Sequence, residues 1–434
     1  MTTKITRINQ IAIEKPNEVF TSIYHLINKE LLKECFNDLD GNKAVGIDKI
    51  TKDDYRYNLE ENLDKLVEKL KNKSYRPSPA RKVNIPKANG KLRGLAIANF
   101  EDKIVQMAVK KLVEAIFEPK FTNNMFGFRP GIGCHDCLKY LNICIEKKPT
   151  NYILDADIKG YFDNISHELI IKGLETHIKD KNLLRLIRRF LKAGIMENDK
   201  YITNDYGTPQ GSILSPVLAN IVMYYAIILY IERLKTKARG YIEIVNYADD
   251  MVLCFQYEEE AIMVYNSLKN RLNRLGLEFA EDKTRLIEFG KCASFSRKRQ
   301  GLGKPETFDF LWFTHYCSKS DKDGHYRVKR KTSKRKLKQK IQEFKVWIKE
   351  NRNLPLANIM TTVKRKLIGH YNYYGITDNT NSMKIYLQEI KKLLFKWLNR
   401  RSQRKSYTIE KFIQLLEIIN LPKPKIKVSI YAIW

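Results

Sequence analysis

The chain has 434 residues, 43% of them hydrophobic, with 24 Tyr and 19 Phe. That is too long for one core and apolar enough for several, so two or three domains are expected and disorder across most of the chain is excluded. A formal net charge of +30 calls for a polyanionic partner, nucleic acid before any other.

Residues 1–40 read as a helical N-terminal extension, ending at a polar break before GNKAVGID. A helix is predicted over about 53–73, because Tyr55, Leu59, Leu63, Leu66, Val67 and Leu70 recur at steps of three and four. Thr51, three residues before Asp54, suits its start. In RKVNIPKANGKLRGLAI (81–97), Asn89-Gly90 between two strand-like runs predicts a hairpin. Helical sequence follows from about 100 to 118. The short apolar run NYILDADI (151–158) reads as a buried strand tipped by acids. YIEIVNYADDMVLCFQ (241–256) predicts a second hairpin with Ala248-Asp249 near its turn. A helix over 258–275 and a strand pair over 277–290 and 307–316 come next.

The character changes after about 320. Leu337, Ile341, Phe344 and Ile348 form one helical stripe. Leu356, Ile359, Val363, Leu367 and Tyr371 form another, with Pro355 suited to a first turn. Met383, Tyr386, Leu387, Ile390, Leu394 and Trp397 form a third. Three amphipathic helices make a small bundle, and a basic, Pro-interrupted segment (401–434) closes the chain. Residues 321–434 hold 28 Lys/Arg against 8 Asp/Glu, so +20 of the +30 sits in about a quarter of the sequence. Charge concentrated in this way describes a binding surface.

The N-terminus MTTKITRINQ has no apolar core, so no secretory signal is expected. The apolar run IVMYYAIILYI (221–231) is too short to span a bilayer. The expected location is therefore the cytoplasm. Cys134 and Cys137 form a C-x-x-C without a second Cys or His pair, so reduced thiols are expected rather than zinc.

Asp249 and Asp250 follow Tyr247-Ala248 between apolar strands, and Asp157 ends another. Carboxylates beside strand cores are costly unless paired, hydrated or metal-bound. Magnesium takes hard oxygen ligands, often one or two carboxylates together with substrate phosphates. Two such ions about 4 Å apart activate a 3′-hydroxyl and stabilise a leaving pyrophosphate. A lone Asp-Asp pair would be no more than two turn acids, but this one has company. The segments AVGID (44–48), IPK with Arg93 (85–93), FGFRPG (126–131), DADIKGYFDNISH (155–167), GTPQGSILSPVLANI (207–221) and YADD (247–250) occur in the order they have in reverse transcriptases. Singly each is weak; six in register are very specific. The chain resembles the bacterial group II intron-encoded reverse transcriptase/maturase family over nearly its whole length.

The resemblance implies an α+β right-hand polymerase: fingers and palm with an antiparallel sheet over 41–320, and a helical thumb or maturase domain over 321–400. The implied reaction is RNA-directed DNA synthesis with two Mg²⁺ ions. Asp157, Asp249 and Asp250 match the catalytic metal ligands, and the Ile158 carbonyl commonly assists. Lys87 and Arg93 match residues that hold the incoming triphosphate, and Gln210 one that lines the nucleotide pocket. Phe162 matches the bulky residue under the sugar that excludes a 2′-hydroxyl. Lys283 matches a lysine near the palm, and a phosphate contact is the role expected of it here. RKLIGHYNYYG (365–375) resembles the maturase element. Lys334, Arg335, Lys336, Lys338, Tyr371, Tyr373 and Tyr374 are the expected RNA contacts, each ring being equally compatible with core. The implied partners are dNTPs, an RNA template with its DNA primer, the intron RNA and target DNA. The sequence departs from the family once: Phe310-Leu311-Trp312-Phe313 carries Trp where the primer-gripping strand usually has Gly, and Trp does not allow the same close approach. Two other roles stay open: a domesticated relative in repair or phage defence, and a splicing factor without polymerase activity, against which the three aspartates argue.

Overall fold

The computed structural model describes residues 3–86, 92–198, 200–203, 205–321, 323–401 and 406–431. Eleven strands occur among them: β1 (Ala80–Pro86), β2 (Leu92–Ile97), β3 (Tyr152–Asp157), β4 (Ile195–Glu197), β5 (Lys200–Ile202), β6 (Ile242–Tyr247), β7 (Asp250–Phe255), β8 (Arg285–Glu288), β9 (Phe308–Phe310), β10 (Phe313–Lys319) and β11 (Tyr326–Thr332). They form sheets ordered β2-β1-β4-β5, β6-β7-β3-β8 and β11-β10-β9. The chain gathers into two compact units. One comprises Met1–Gly133, Ala156–Leu253 and Glu259–Arg285; the other comprises Cys134–Asp155, Cys254–Glu258 and Leu286–Trp434.

In the first unit the N-terminal 40 residues form helices Thr3–Glu14 and Lys29–Asp38, joined by a single 3₁₀ turn. Thr51 accepts from the Asp54 backbone N–H while Asp54 accepts in return, the reciprocal cap foreseen at this start. The helix expected over 53–73 is broken in two, Lys52–Tyr57 and Leu59–Lys71, because Asn58 adopts φ −118°, ψ 41°. Leu63, Leu66 and Leu70 of the second piece are buried. Helix Phe100–Phe117 is the core of the unit, with twelve buried residues, against which both N-terminal helices pack. β1 and β2 pair antiparallel with Ile85 opposite Arg93 and Pro86 opposite Leu92. The expected Asn89-Gly90 turn and Lys87 lie outside the described residues.

A helical run, Ser215–Lys235, crosses this unit. It carries one π turn, Tyr224–Ile228. A π turn replaces the i→i−4 backbone bonds by i→i−5 ones. The guanidinium of Arg271 donates to two carbonyls within it, those of Ala226 and Tyr225. By length and apolarity this run could cross a bilayer, but 61% of its most apolar window is buried within the protein.

In the second unit β10 pairs with β9 on one side and β11 on the other. The strand pair expected over 277–290 and 307–316 is therefore not one. β8 lies beside β3, β9 and β10 belong to a different sheet, and a helix, Ala293–Arg299, stands between them in sequence. The three basic helices are present as Lys334–Asn351, Leu356–Tyr374 and Thr380–Leu398. Pro355 caps the second from outside its first turn. A fourth helix, Ile409–Ile419, was not foreseen.

Candidate active site

The Tyr247-Ala248-Asp249-Asp250 turn joins β6 to β7 as expected. Ala248 takes φ +59°, a left-handed conformation unusual for a residue with a Cβ. Asn246, almost fully buried, donates its amide to the Ala248 carbonyl at 2.8 Å and holds this shape. The FGFRPG segment clamps the turn from outside. Phe126 N–H donates to the Asn246 carbonyl and Asn246 N–H to the Asn124 carbonyl, both at 2.9 Å. Gly127 passes so close that a Cβ there would stand 2.2 Å from the Ala248 nitrogen. The Gly127 carbonyl accepts from the Asn220 amide at 2.8 Å. Arg129 ties the far end down through Glu118 at 2.8 Å and the Thr122 and Met125 carbonyls. The motif thus acts by holding the acidic turn, a role invisible in local sequence.

β3 lies between β7 and β8. Asn151, just before β3, donates to the carbonyl of Phe255 at the end of β7. The beginning of one strand thus meets the end of the other, which brings Asp157 to the end of the sheet where Asp249 and Asp250 lie. Asp157 and Asp249 are half-buried and Asp250 is exposed. Lys283 forms an ion pair with Asp157. That hydrogen bond, chiefly, raises the ammonium above its ordinary pKa, with the charge of Asp250 adding to it. Burial, with the charge of Asp249 behind it, pushes up the Tyr161 phenol. Ile158 is buried and bridges to Phe279. The donor chemistry suits Mg²⁺: three carboxylates at one strand end, hard oxygen ligands with room for phosphate. Among the described residues no three acidic, imidazole or thiol side chains are close-set enough to form a finished metal cage.

Beside these strands, the GTPQG segment folds back on β2. Ala96 donates to the Gln210 carbonyl at 2.7 Å. Gly207, at φ +77°, lies where a Cβ would meet the Phe162 and Asp163 carbonyls at 2.7 and 2.6 Å. The result is a cavity of about 290 Å³ lined in part by Lys82, Gly94, Asp163, Ile195, Thr208 and Gln210. Gln210 donates to Asp163 at 2.9 Å. The Thr208 hydroxyl is buried without a hydrogen-bond partner among the described residues, so a polar ligand in this cavity would satisfy it. Lys82, paired with Glu197 at 2.9 Å, and Asp163 are cavity residues that the sequence reading missed. Phe162 flanks the site, half-buried and edge-on to Phe128 at 6.0 Å. Arg93 lies in β2 next to Gly94; its side chain is outside the described residues.

In the second unit, Lys334, Arg335 and Lys338 are exposed on the first basic helix. Tyr371 and Tyr374 are not RNA-facing: they are 2% and 4% exposed. Lying three apart on a helix, they share its inward face. Tyr373 is half-buried, stacked on Phe313 and donating to the Leu311 carbonyl at 3.1 Å. Leu311 and Trp312 form a two-residue turn between β9 and β10 with φ +49° and +67°. The backbone here takes the left-handed shape that Gly would adopt freely, at a cost of about 1–2 kcal/mol for each residue. The Trp312 ring turns outward, 49% exposed, with the Lys336 ammonium 3.9 Å above it. All cysteines are free, and Cys137 is buried.

Residues 85–315, over half of the chain, match the reverse transcriptase (RNA-dependent DNA polymerase) family. Residues 334–413 match the maturase-specific domain of group II introns. The group II intron-encoded protein LtrA of Lactococcus lactis subsp. cremoris is 39% identical over 222 residues, which is 51% of this chain and 37% of that protein. A 91 kDa protein in the cob intron of Schizosaccharomyces pombe is 36% identical over 215 residues, 49% of this chain and 26% of that one. A COX1/OXI3 intron 2 protein of Saccharomyces cerevisiae is 27% identical over 328 residues, 73% of this chain and 35% of that one. The chain therefore belongs to the reverse transcriptases, and among them to the group II intron-encoded reverse transcriptase/maturase family. The matched stretch spans little more than a third of the LtrA protein.

Proposed function

We propose that the chain is an RNA-directed DNA polymerase that extends a primer 3′-hydroxyl with deoxynucleotides and binds its group II intron RNA to assist splicing and retrohoming. The observation that carries this reading is the arrival of Asp157 and of Asp249-Asp250 at one end of adjacent strands, in the same unit as the Gln210 cavity. Bound there, Mg²⁺ would activate the attacking hydroxyl and stabilise the leaving pyrophosphate. Asp157, Asp249, Asp250 and the Ile158 carbonyl would hold it. Lys283 neutralises Asp157, and with Mg²⁺ held by the carboxylates its ammonium would be free for a phosphate oxygen. Gln210 and Thr208 orient the nucleotide by hydrogen bonds, Lys87 and Arg93 hold its triphosphate, and Phe162 excludes a ribose.

Residues 41–320 then act as fingers and palm and 321–400 as thumb, with Lys334, Arg335, Lys336 and Lys338 facing RNA. Primer extension measured beside RNA binding tests the reading. Asp249→Asn and Asp250→Asn should abolish extension and leave RNA affinity largely intact. Near-normal extension by both variants would refute it.

A further inference from the structure

A second cavity in the first unit, about 470 Å³, is built differently. Five cations converge on it: Arg76, Arg185, Arg188, Arg189 and Lys192. Four come from one polar helix face and its C-terminal end. Helix Lys181–Leu191 buries Leu183, Leu184, Leu186, Ile187, Phe190 and Leu191 and contains no Asp or Glu. Among the described residues the one carboxylate paired with these cations is Glu175, 3.2 Å from Arg188. Asp180 is buried and spent as a cap, accepting from the backbone of Ile23, Tyr24, Asn182 and Leu183.

An ordinary solvated helix face would intersperse acids. Here Arg185 lies three and four residues from Arg188 and Arg189, and both of those lie within a turn of Lys192. Like charges at that spacing repel by about 0.2–0.5 kcal/mol per pair, and the fold leaves the repulsion largely uncompensated. Arg189 has a structural duty, donating to the Lys73 and Tyr75 carbonyls at 3.0 and 2.7 Å. Among the described residues Arg185, Arg188 and Lys192 tie no other segment's backbone to the helix. Pro77 and Pro79 also line the cavity. Their fixed φ makes the concavity preformed, so filling it costs little ordering. Tyr201 of β5, 53% exposed, offers an aromatic face beside the cations.

The groove also has an address. Ala193 lines it, and Ile195, two residues on, lines the Gln210 cavity. One short segment running into β4 separates the two. Cations in a row beside an exposed ring, on a preformed wall, suit a single strand better than a duplex: backbone phosphates on the cations, a base on the ring.

We infer that the Arg76, Arg185, Arg188, Arg189 and Lys192 groove is a binding site for the phosphate backbone of single-stranded RNA leading along β4 to the nucleotide cavity. The strand is supplied by the template overhang or by an unpaired intron loop. The inference rests on the chain being an RNA-copying polymerase.

The test is the salt dependence of binding to an unstructured RNA of about 30 nucleotides. Each phosphate contact on a single strand contributes about 0.7 to the slope of log affinity against log salt. The triple variant Arg185→Gln, Arg188→Gln, Lys192→Gln should therefore lose about 2 from that slope. Between 50 and 200 mM salt its affinity should fall roughly 16-fold less than that of the wild type. Its melting temperature should hold or rise, since repulsion is relieved. Arg185→Lys with Arg188→Lys should keep the wild-type slope. Should the triple variant not fold, Arg188→Gln with Lys192→Gln, both at exposed positions, should lose about 1.4.

Primer extension on templates with a long and a one-nucleotide 5′ overhang identifies the strand. A defect confined to the long overhang assigns the template, and weakened intron binding with normal extension assigns the intron. An unchanged slope, or a loss seen with polyglutamate and not with RNA, overturns the proposal. Extension by the wild-type protein reports on the polymerase reading separately, so the two can fail independently.

Discussion

Gly127→Ala tests whether the FGFRPG clamp is what positions the acidic turn. The new methyl would stand 2.2 Å from the Ala248 nitrogen, 2.9 Å from its Cα and 3.0 Å from the Tyr247 carbonyl carbon. All three are backbone atoms, so no side chain can rotate away. Reaching an ordinary contact of 3.4 Å requires the two segments to part by about 1.2 Å. Overpacking of this kind costs roughly 1–3 kcal/mol. The two 2.9 Å backbone hydrogen bonds through Asn246 are strained with it, at about 1 kcal/mol each. We expect a loss of about 2–5 kcal/mol in denaturant unfolding. A reacting group misplaced by about 1 Å costs on the order of 100-fold in rate, so single-nucleotide incorporation at saturating dNTP should slow by about that factor. Gly131→Ala is the control. It lies in the same segment at φ +72° with nothing within 4 Å, so it carries only the backbone strain of about 1–2 kcal/mol and should extend primers nearly normally. Equal stability and equal incorporation rates in the two variants would refute the clamp.

Phe162→Val should raise the efficiency of ribonucleotides relative to deoxynucleotides, read as the ratio of kcat/KM values; an unchanged ratio makes Phe162 a packing residue against Phe128. Burial pushes the His370 imidazole down to about 3, below its unfolded value of about 6.5. The unfolded chain then binds the extra proton, so stability is lost as pH falls below about 6.5. His370→Phe should remove about 2 kcal/mol of the stability lost between pH 7 and 5, measured by urea unfolding at each pH. Neutralising Lys334, Arg335, Lys336 and Lys338 together should weaken binding of the folded intron and flatten its salt dependence, while extension on a short template suffers less. Equal losses in both assays would leave this helix a polymerase element alone.

Much of the site was legible because its residues are tied to local pattern. The acidic turn sits where apolar alternation breaks between β6 and β7, and Gly207 and Gly211 occur where the chain must pass close to another backbone. What was illegible depends on distant partners. Nothing near Gly127 in sequence announces Ala248. The break at Asn58 is hidden because the leucine spacing continues across it. Trp312 looked incompatible with its strand, yet the backbone keeps the left-handed shape and the ring turns outward. Two misses were avoidable. Tyr371 and Tyr374 are three apart and so share one helix face. Ile409, Phe412, Ile413 and Leu416 carry helical spacing within a stretch read only as basic and Pro-interrupted.

The π turn in Ser215–Lys235 bears on how the protein is made. This run is apolar enough to pass for a bilayer helix, and the residue whose guanidinium binds its π-turn carbonyls, Arg271, is encoded about forty positions after the turn. At 5–20 residues per second, translation leaves the run without that partner for about 2 to 9 seconds. Synthesis of Arg271 closes this interval: a guanidinium bound to those carbonyls suits a folded interior and would be costly in lipid. The contact between Arg271 and the π turn thus belongs to the buried state of this run and would oppose its placement in lipid.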